Sequence, residues 1–125
     1  MLLFKQKFLE AIKGGTKTQT IRLWQYRRMK AGQRSYIAGV GYIRIDSVER
    51  VELEQLTDAD AIPDGFHSAD ALRAELCDLY GVDILARRKL YIVRFSVYPP
   101  SEQIKIQEEK NKKLRRGIYA NLFMV

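Results

Sequence analysis

The sequence predicts an α+β fold, and three observations point to it. Apolar and polar residues alternate at period two in several short runs between residues 18 and 98, set apart by glycine and proline turns. Stretches with helical apolar spacing stand before, among and after those runs. With 46% apolar and 30% charged residues in a chain of 125, the composition is that of one globular domain with one core.

Phe4 to Lys13 reads as a short helix: Phe4, Phe8, Leu9, Ala11 and Ile12 share one side, and Gly14 or Gly15 supplies the C-cap. An extended run continues through Leu23. Ile21 and Leu23 take one of its faces, and Thr18, Thr20 and Arg22 take the other, with Lys17 at the loop edge. Arg34 to Ala38 and Tyr42 to Leu53 read as strands split by a Gly39-Val40-Gly41 turn. The apolar register slips between Ile45 and Val48, which a bulge reconciles. Thr57 is placed to cap a short turn through Ala61, and Pro63-Asp64-Gly65 has turn chemistry. Ser68 or Asp70 caps a helix through Tyr80 that buries Leu72, Leu76 and Leu79 and stops at Gly81. Lys89 to Tyr98 is a strand with Leu90, Ile92 and Val93 in the core, ended by Pro99-Pro100. Ser101 to Arg116 reads as a charged helix carrying Lys112, Lys113, Arg115 and Arg116 at its C-terminal end, with Gly117 as its stop. The apolar residues 118–125 are expected to dock on this domain or on a neighbour's, a route to self-association. The chain thus divides into a domain of residues 1–98 and a C-terminal extension of residues 99–125.

Charge is segregated along the chain. Residues 1–34 carry nine bases and one acid, residues 35–86 three bases and eleven acids, and residues 87–125 ten bases and three acids. If the two basic ends meet in space they form a phosphate-attracting face, so nucleic acid is the leading partner. No apolar run approaches the ~20 residues of a membrane helix, and no secretory segment of adequate length opens the chain. The one cysteine, Cys77, forms no internal disulfide and suits a reducing cytoplasm. His67 is the one histidine, which excludes a His-based metal site or a Ser-His relay, and no cofactor or metal is expected.

The donors at Lys17, Thr18, Thr20 and Arg22, with no carboxylate among them, suit an oxygen-rich ligand: a phosphate, a carboxylate or a nucleobase carbonyl. Beyond them, Trp24, Arg27, Arg28 and Lys30 interleave aromatic and basic side chains ahead of the Gly32 turn and Arg34. Such a loop can stack a base and hold phosphates; equally, Trp24 can cap the core while the cations are solvated.

The run Gly15-Thr16-Lys17-Thr18-Gln19-Thr20-Ile21-Arg22 resembles the signature of the ASCH (activating signal cointegrator homology) domain family. Later pieces match in order: Gly32, Ala38-Gly39, Leu56-Thr57-Asp58, Asp64-Gly65-Phe66, Tyr80 and Val93-Arg94-Phe95. The resemblance covers residues 3–97 and implies a PUA-like β-barrel of about five or six strands, with helices at its ends and a cleft for RNA or a modified nucleoside. In relatives that act as N4-acetylcytidine amidohydrolases, a Lys, a Thr and a carboxylate carry catalysis. By motif position these are Lys17 as base, Thr20 as nucleophile and Asp64 as proton shuttle, although the relatives carry Glu where this chain has Asp64. Other relatives imply RNA binding or cleavage. The resemblance thus implies a binding cleft of Lys17, Thr20, Arg22 and Asp64, with amidohydrolase and ribonuclease as alternatives; a protein-interaction module using the acidic helix and the C-terminal tail is a further one.

Overall fold

The computed structural model describes residues 2–123, with side chains through residue 117. Four strands, β1 (Gln19–Trp24), β2 (Arg34–Ile37), β3 (Gly41–Val51) and β4 (Lys89–Val97), form one antiparallel sheet in the order β1-β4-β3-β2. The sheet curls into a half-barrel, so the expected five or six strands are four. Among the described residues the N-terminal segment adds a parallel bridge, Leu2 to Ile37, at the β2 edge. The bulge lies where the slipped alternation puts it: the β3–β4 register shifts between Ile45 and Ser47, restoring Val48 to the core face.

Because side chains alternate across a strand, β4 feeds two cores. Tyr91, Val93 and Phe95 pack with Ile43, Ile45, Ile37 and Trp24 on one face, under Leu2 and Ile12. Leu90 and Ile92 join Ile21 on the other, under Leu56, Ala61, Leu72 and Leu76. Burying a sheet on both faces leaves its edges as the places where a ligand can enter.

The helices refine the reading from sequence. The first one is a 3₁₀ turn, Gln6–Phe8, followed by α1 (Leu9–Lys13). Thr57 caps α2 (Asp58–Asp64) through Asp60 N–H and forms a capping box with Asp60. That helix runs past Ala61, so Pro63 and Asp64 belong to its last turn and Gly65, at φ 98°, is its left-handed C-cap. Ser68 caps α3 (Ala69–Tyr80) by accepting from Ala71 N–H at 3.1 Å. Leu72 and Leu76 are buried as expected, whereas Leu79 is 41% exposed because it borders an open pocket. A helix absent from the sequence reading, α4 (Val82–Arg87), follows Gly81 directly.

The last helix, α5 (Pro100–Phe123), begins one residue earlier than expected and passes through Gly117. Gln103 anchors it: its amide accepts from Tyr42 N–H at 2.8 Å and donates to the Tyr42 and Tyr98 carbonyls at 2.8 and 2.9 Å. Ile106 is buried beside that anchor. Docking of the side chains of residues 118–125 falls outside the described residues. Among the described residues no helix is long and apolar enough to cross a membrane.

Candidate functional site

Three successive residues ahead of and within β1 grip the end of α2. Lys17 Nζ donates to the Asp64 carbonyl, Thr18 N–H to the Pro63 carbonyl at 2.8 Å, and Gln19 Nε2 to the Asp60 carbonyl at 2.8 Å. Carbonyls in the last turn of a helix lack intrahelical donors, so the Lys17 and Thr18 bonds satisfy groups that α2 leaves open at Asp64 and Pro63, and Gln19 adds a side-chain donor one turn earlier. Gly65 and Phe66 complete the end by donating to the Ile62 and Ala61 carbonyls, each at 3.0 Å.

The same grip buries an ion pair. Lys17 and Asp64 are 3% and 4% exposed, and Lys17 Nζ lies 2.7 Å from Asp64 Oδ1. Gln19 Nε2 donates to the other carboxylate oxygen at 3.1 Å. The ammonium sits 4.7 Å from the Phe8 ring centre, with Phe66 and Phe4 at 5.9 and 6.0 Å. Burial dominates the proton affinities of both groups. It pulls Lys17 below its ordinary 10.5, against the attraction of Asp64, and nearby Arg22 pulls the same way. It pushes Asp64 above its ordinary 3.8, against Lys17 and the Gln19 hydrogen bond. Gln19 Nε2 faces two acceptors, which fixes the amide's orientation and leaves buried Gln19 Oε1 without a partner.

A pocket of about 210 Å³ opens at the β1 edge of the sheet, between the N-terminal segment and α3. Thr20, Arg22 and Asp64 line it, with apolar walls from Phe8, Phe66, Leu72, Leu76 and Leu79 and with Tyr80 at one side. Arg22 Nε donates to Thr20 Oγ1 at 3.2 Å, Arg22 Nη2 donates to the Leu3 carbonyl at 2.7 Å, and the guanidinium lies 4.8 Å from the Phe4 ring centre. Lys5 and Glu75 stand at the same pocket, and Lys7 Nζ ties Glu75 down at 3.0 Å. The arrangement offers guanidinium N–H groups, a hydroxyl of either sense and a carboxylate along an apolar slot.

Of the four cleft residues expected from sequence, three line this pocket. The fourth, Lys17, is not at an exposed loop edge; it lies behind Asp64 and is bonded to it. The remaining expected residues lie elsewhere. Thr18 is exposed and contributes its backbone. Trp24 is 9% exposed and packs on Tyr91 with ring centres 5.4 Å apart, a core position. Arg27, Arg28 and Lys30 surround a shallow surface depression of about 310 Å³. Arg34 is exposed on β2, directly opposite Arg44. Sequence reasoning passed over Gln19, Phe8, Phe66, Glu75 and Tyr80. Gln19 carried a signal: it shares strand parity with Ile21 and so faces the helices, where a polar side chain needs a partner.

No family model matches the chain, and no curated protein matches it. Solved structures do. A hypothetical protein, PH0355, superposes with a TM-score of 0.67 at 16% identity, over 77% of this chain and 95% of its own. EF3133 from Enterococcus faecalis V583, of the family model DUF984, gives 0.57 at 19% identity, over 73% and 69%. The ASCH domain from Lactobacillus crispatus JV V101 gives 0.55 at 18% identity, over 71% and 69%. The half-barrel with its helices, and the likeness to a solved ASCH domain, together show that this chain has an ASCH-like fold.

Proposed function

We propose that the chain binds a single nucleobase or modified nucleoside, free or displayed by RNA, in the pocket at the β1 edge. The observation that carries this reading is the convergence of Arg22, Thr20 and Asp64 on one apolar-walled slot. Its volume of about 210 Å³ is below the roughly 300–1,000 Å³ typical of drug-sized ligands, so it accepts one base-sized group. Arg22 and Thr20 donate to ring carbonyls, Asp64 accepts from an exocyclic amino group, and Phe8 and Phe66 give the ring apolar contact.

Calorimetric titration with nucleosides tests this. A hydrogen bond to a charged group contributes about 1.5–3 kcal/mol and a neutral one about 0.5–1.5 kcal/mol, so Arg22→Gln is expected to weaken binding by about tenfold or more and Thr20→Val by about two- to tenfold. A parent that binds no nucleoside, or variants that bind as the parent does, would remove the reading. The amidohydrolase alternative calls on Lys17 to deprotonate Thr20. The hydrogen bonds present take Lys17 Nζ to Asp64 and tie Thr20 Oγ1 to Arg22, and this supports the binding reading over the catalytic one. Release of acetate from N4-acetylcytidine, lost in Thr20→Ala, is the result that would reverse that order.

A further inference from the structure

We infer that the pocket at β1 holds its ligand by the backbone of Ile21, and therefore takes a flat group with a hydrogen-bond donor beside an acceptor, the pattern of a cis-amide or amidine edge. The inference rests on the reading of that pocket as a site for a single base. Its basis is the order of hydrogen bonds along β1, which is an edge strand. Phe95 N–H donates to the Thr18 carbonyl at 3.0 Å. That bond brackets the Gln19–Arg94 pair and makes it one of the pairs that exchange no bonds. By alternation, Thr20 pairs fully with Val93 and Arg22 with Tyr91, whereas Ile21 and Leu23 turn their N–H and C=O groups away from β4. Among the described residues no backbone group outside the sheet bonds to Ile21. The neighbouring side chains of Gln19, Thr20 and Arg22 make their hydrogen bonds elsewhere.

Those free groups open into the pocket. Residues from both faces of the strand line it: Thr20 and Arg22 from one, with Phe8, and Ile21 from the other, with Leu72 and Leu76. A pocket that wraps a strand in this way lies on its edge, where Ile21 points its peptide groups. Ile21 is 5% exposed, so what enters the pocket is what these groups meet. A ligand that displaces water from them must replace both hydrogen bonds or lose affinity. A ring lying in the plane of the sheet, as the next strand's peptide would, reaches both groups at once. Phe8 then stands toward one of its faces, and Leu72 and Leu76 toward the other. A phosphate or carboxylate brings acceptors alone and would set an oxygen against the Ile21 carbonyl. Of the three oxygen-rich ligands that suit Thr20 and Arg22, the nucleobase is the one that supplies both partners.

The test is calorimetric titration of the full chain with the common ribonucleosides. Each nucleoside that binds is compared with its analogue methylated at the ring nitrogen of that edge, N3 of a pyrimidine or N1 of a purine. Methylation removes one bond and holds the edge away from Ile21, so binding is expected to weaken about tenfold or more. Replacing Ile21 by its α-hydroxy acid counterpart, in a semisynthetic chain, keeps the side chain and removes the N–H. Affinity is then expected to fall about two- to tenfold. The same exchange at Leu23, which does not line the pocket, weakens a ladder carbonyl to the same degree and leaves affinity at the parent's value. Neither N–H belongs to the ladder, so circular dichroism is expected to show parent-like folding in both. A parent that binds a nucleoside and its methylated analogue alike would overturn the inference and leave the pocket reading intact. So would an Ile21 exchange that binds as tightly as the Leu23 one. A parent that binds no nucleoside, whether or not it takes inorganic phosphate or acetate, would overturn both.

Discussion

Replacing Lys17 by methionine separates the structural from the chemical role of the buried pair. The substitution keeps most of the volume but removes the donor to Asp64 Oδ1 and to the Asp64 carbonyl. A carboxylate that is 4% exposed is left with Gln19 as its remaining side-chain donor. Removing one partner of a buried pair costs about 3–5 kcal/mol, because the other charge stays in a poor solvent. At about 4 °C per kcal/mol for a domain of this size, Tm falls by roughly 12–20 °C. The paired change Lys17→Met/Asp64→Leu removes both charges and is expected to return within about 1–2 kcal/mol of the parent. Urea unfolding followed by fluorescence of Trp24, the single tryptophan, measures all four corners of the cycle. A loss under about 1 kcal/mol for Lys17→Met, or a double variant as unstable as the sum of the singles, would refute the account of a desolvated, mutually dependent pair.

Four further outcomes are expected. Burial raises the Asp64 carboxyl above 3.8, so the folded chain holds that proton more tightly than the unfolded one. Stability relative to Asp64→Asn therefore rises as pH falls from the folded value towards 3.8; a decline in urea midpoint difference across that window would contradict it. Gly65→Ala meets no crowding, since its nearest contact is Lys17 Cδ at 3.8 Å, but at φ 98° it is expected to cost about 1–2 kcal/mol in chemical unfolding; a neutral result would mean the helix end relaxes. Gln103→Ala strands the Tyr42 N–H and the Tyr42 and Tyr98 carbonyls and should lower stability by about 1–3 kcal/mol. Limited proteolysis should then cut α5 faster than in the parent, and an unchanged rate would count against Gln103 as the anchor. Trp24→Ala is expected to cost about 3–5 kcal/mol as a core truncation, and loss of RNA binding with stability intact would restore the stacking role.

Much of the fold was legible because its cues are local. The alternation of Thr20, Ile21, Arg22 and Leu23 sorts correctly onto two faces, the caps at Thr57 and Ser68 act as their side chains dictate, and the β3 bulge follows from the slip before Val48. The failures have physical causes. Pro63 reads as a breaker and does forfeit the N–H that would reach the Ala59 carbonyl, but the capping box at one end of α2 and the Lys17, Thr18 and Gln19 hydrogen bonds at the other hold the helix. The α4 helix has six residues, too few to display a period. Gly117 costs a helix about 1 kcal/mol, which a long α5 absorbs. Thr20, Arg22 and Asp64 were expected in one cleft and line one pocket, but the burial of Lys17 was hidden. Lysine is ordinarily exposed, and the carboxylate that permits its burial lies 47 positions away in sequence.

The clasp of Arg22 on the Leu3 carbonyl has a consequence for affinity. One guanidinium N–H that a ligand would use is already spoken for by backbone, so occupancy of the pocket and seating of the N-terminal segment compete for the same donor. Competition of this kind is reciprocal: a ligand that displaces Leu3 loosens the segment by the same free energy that the seated segment subtracts from binding. Leu2 N–H, which donates to the Tyr36 carbonyl at 3.1 Å, is the reporter. Its hydrogen exchange should accelerate when the pocket is saturated, and unchanged protection would show that ligand and segment share Arg22 without contest.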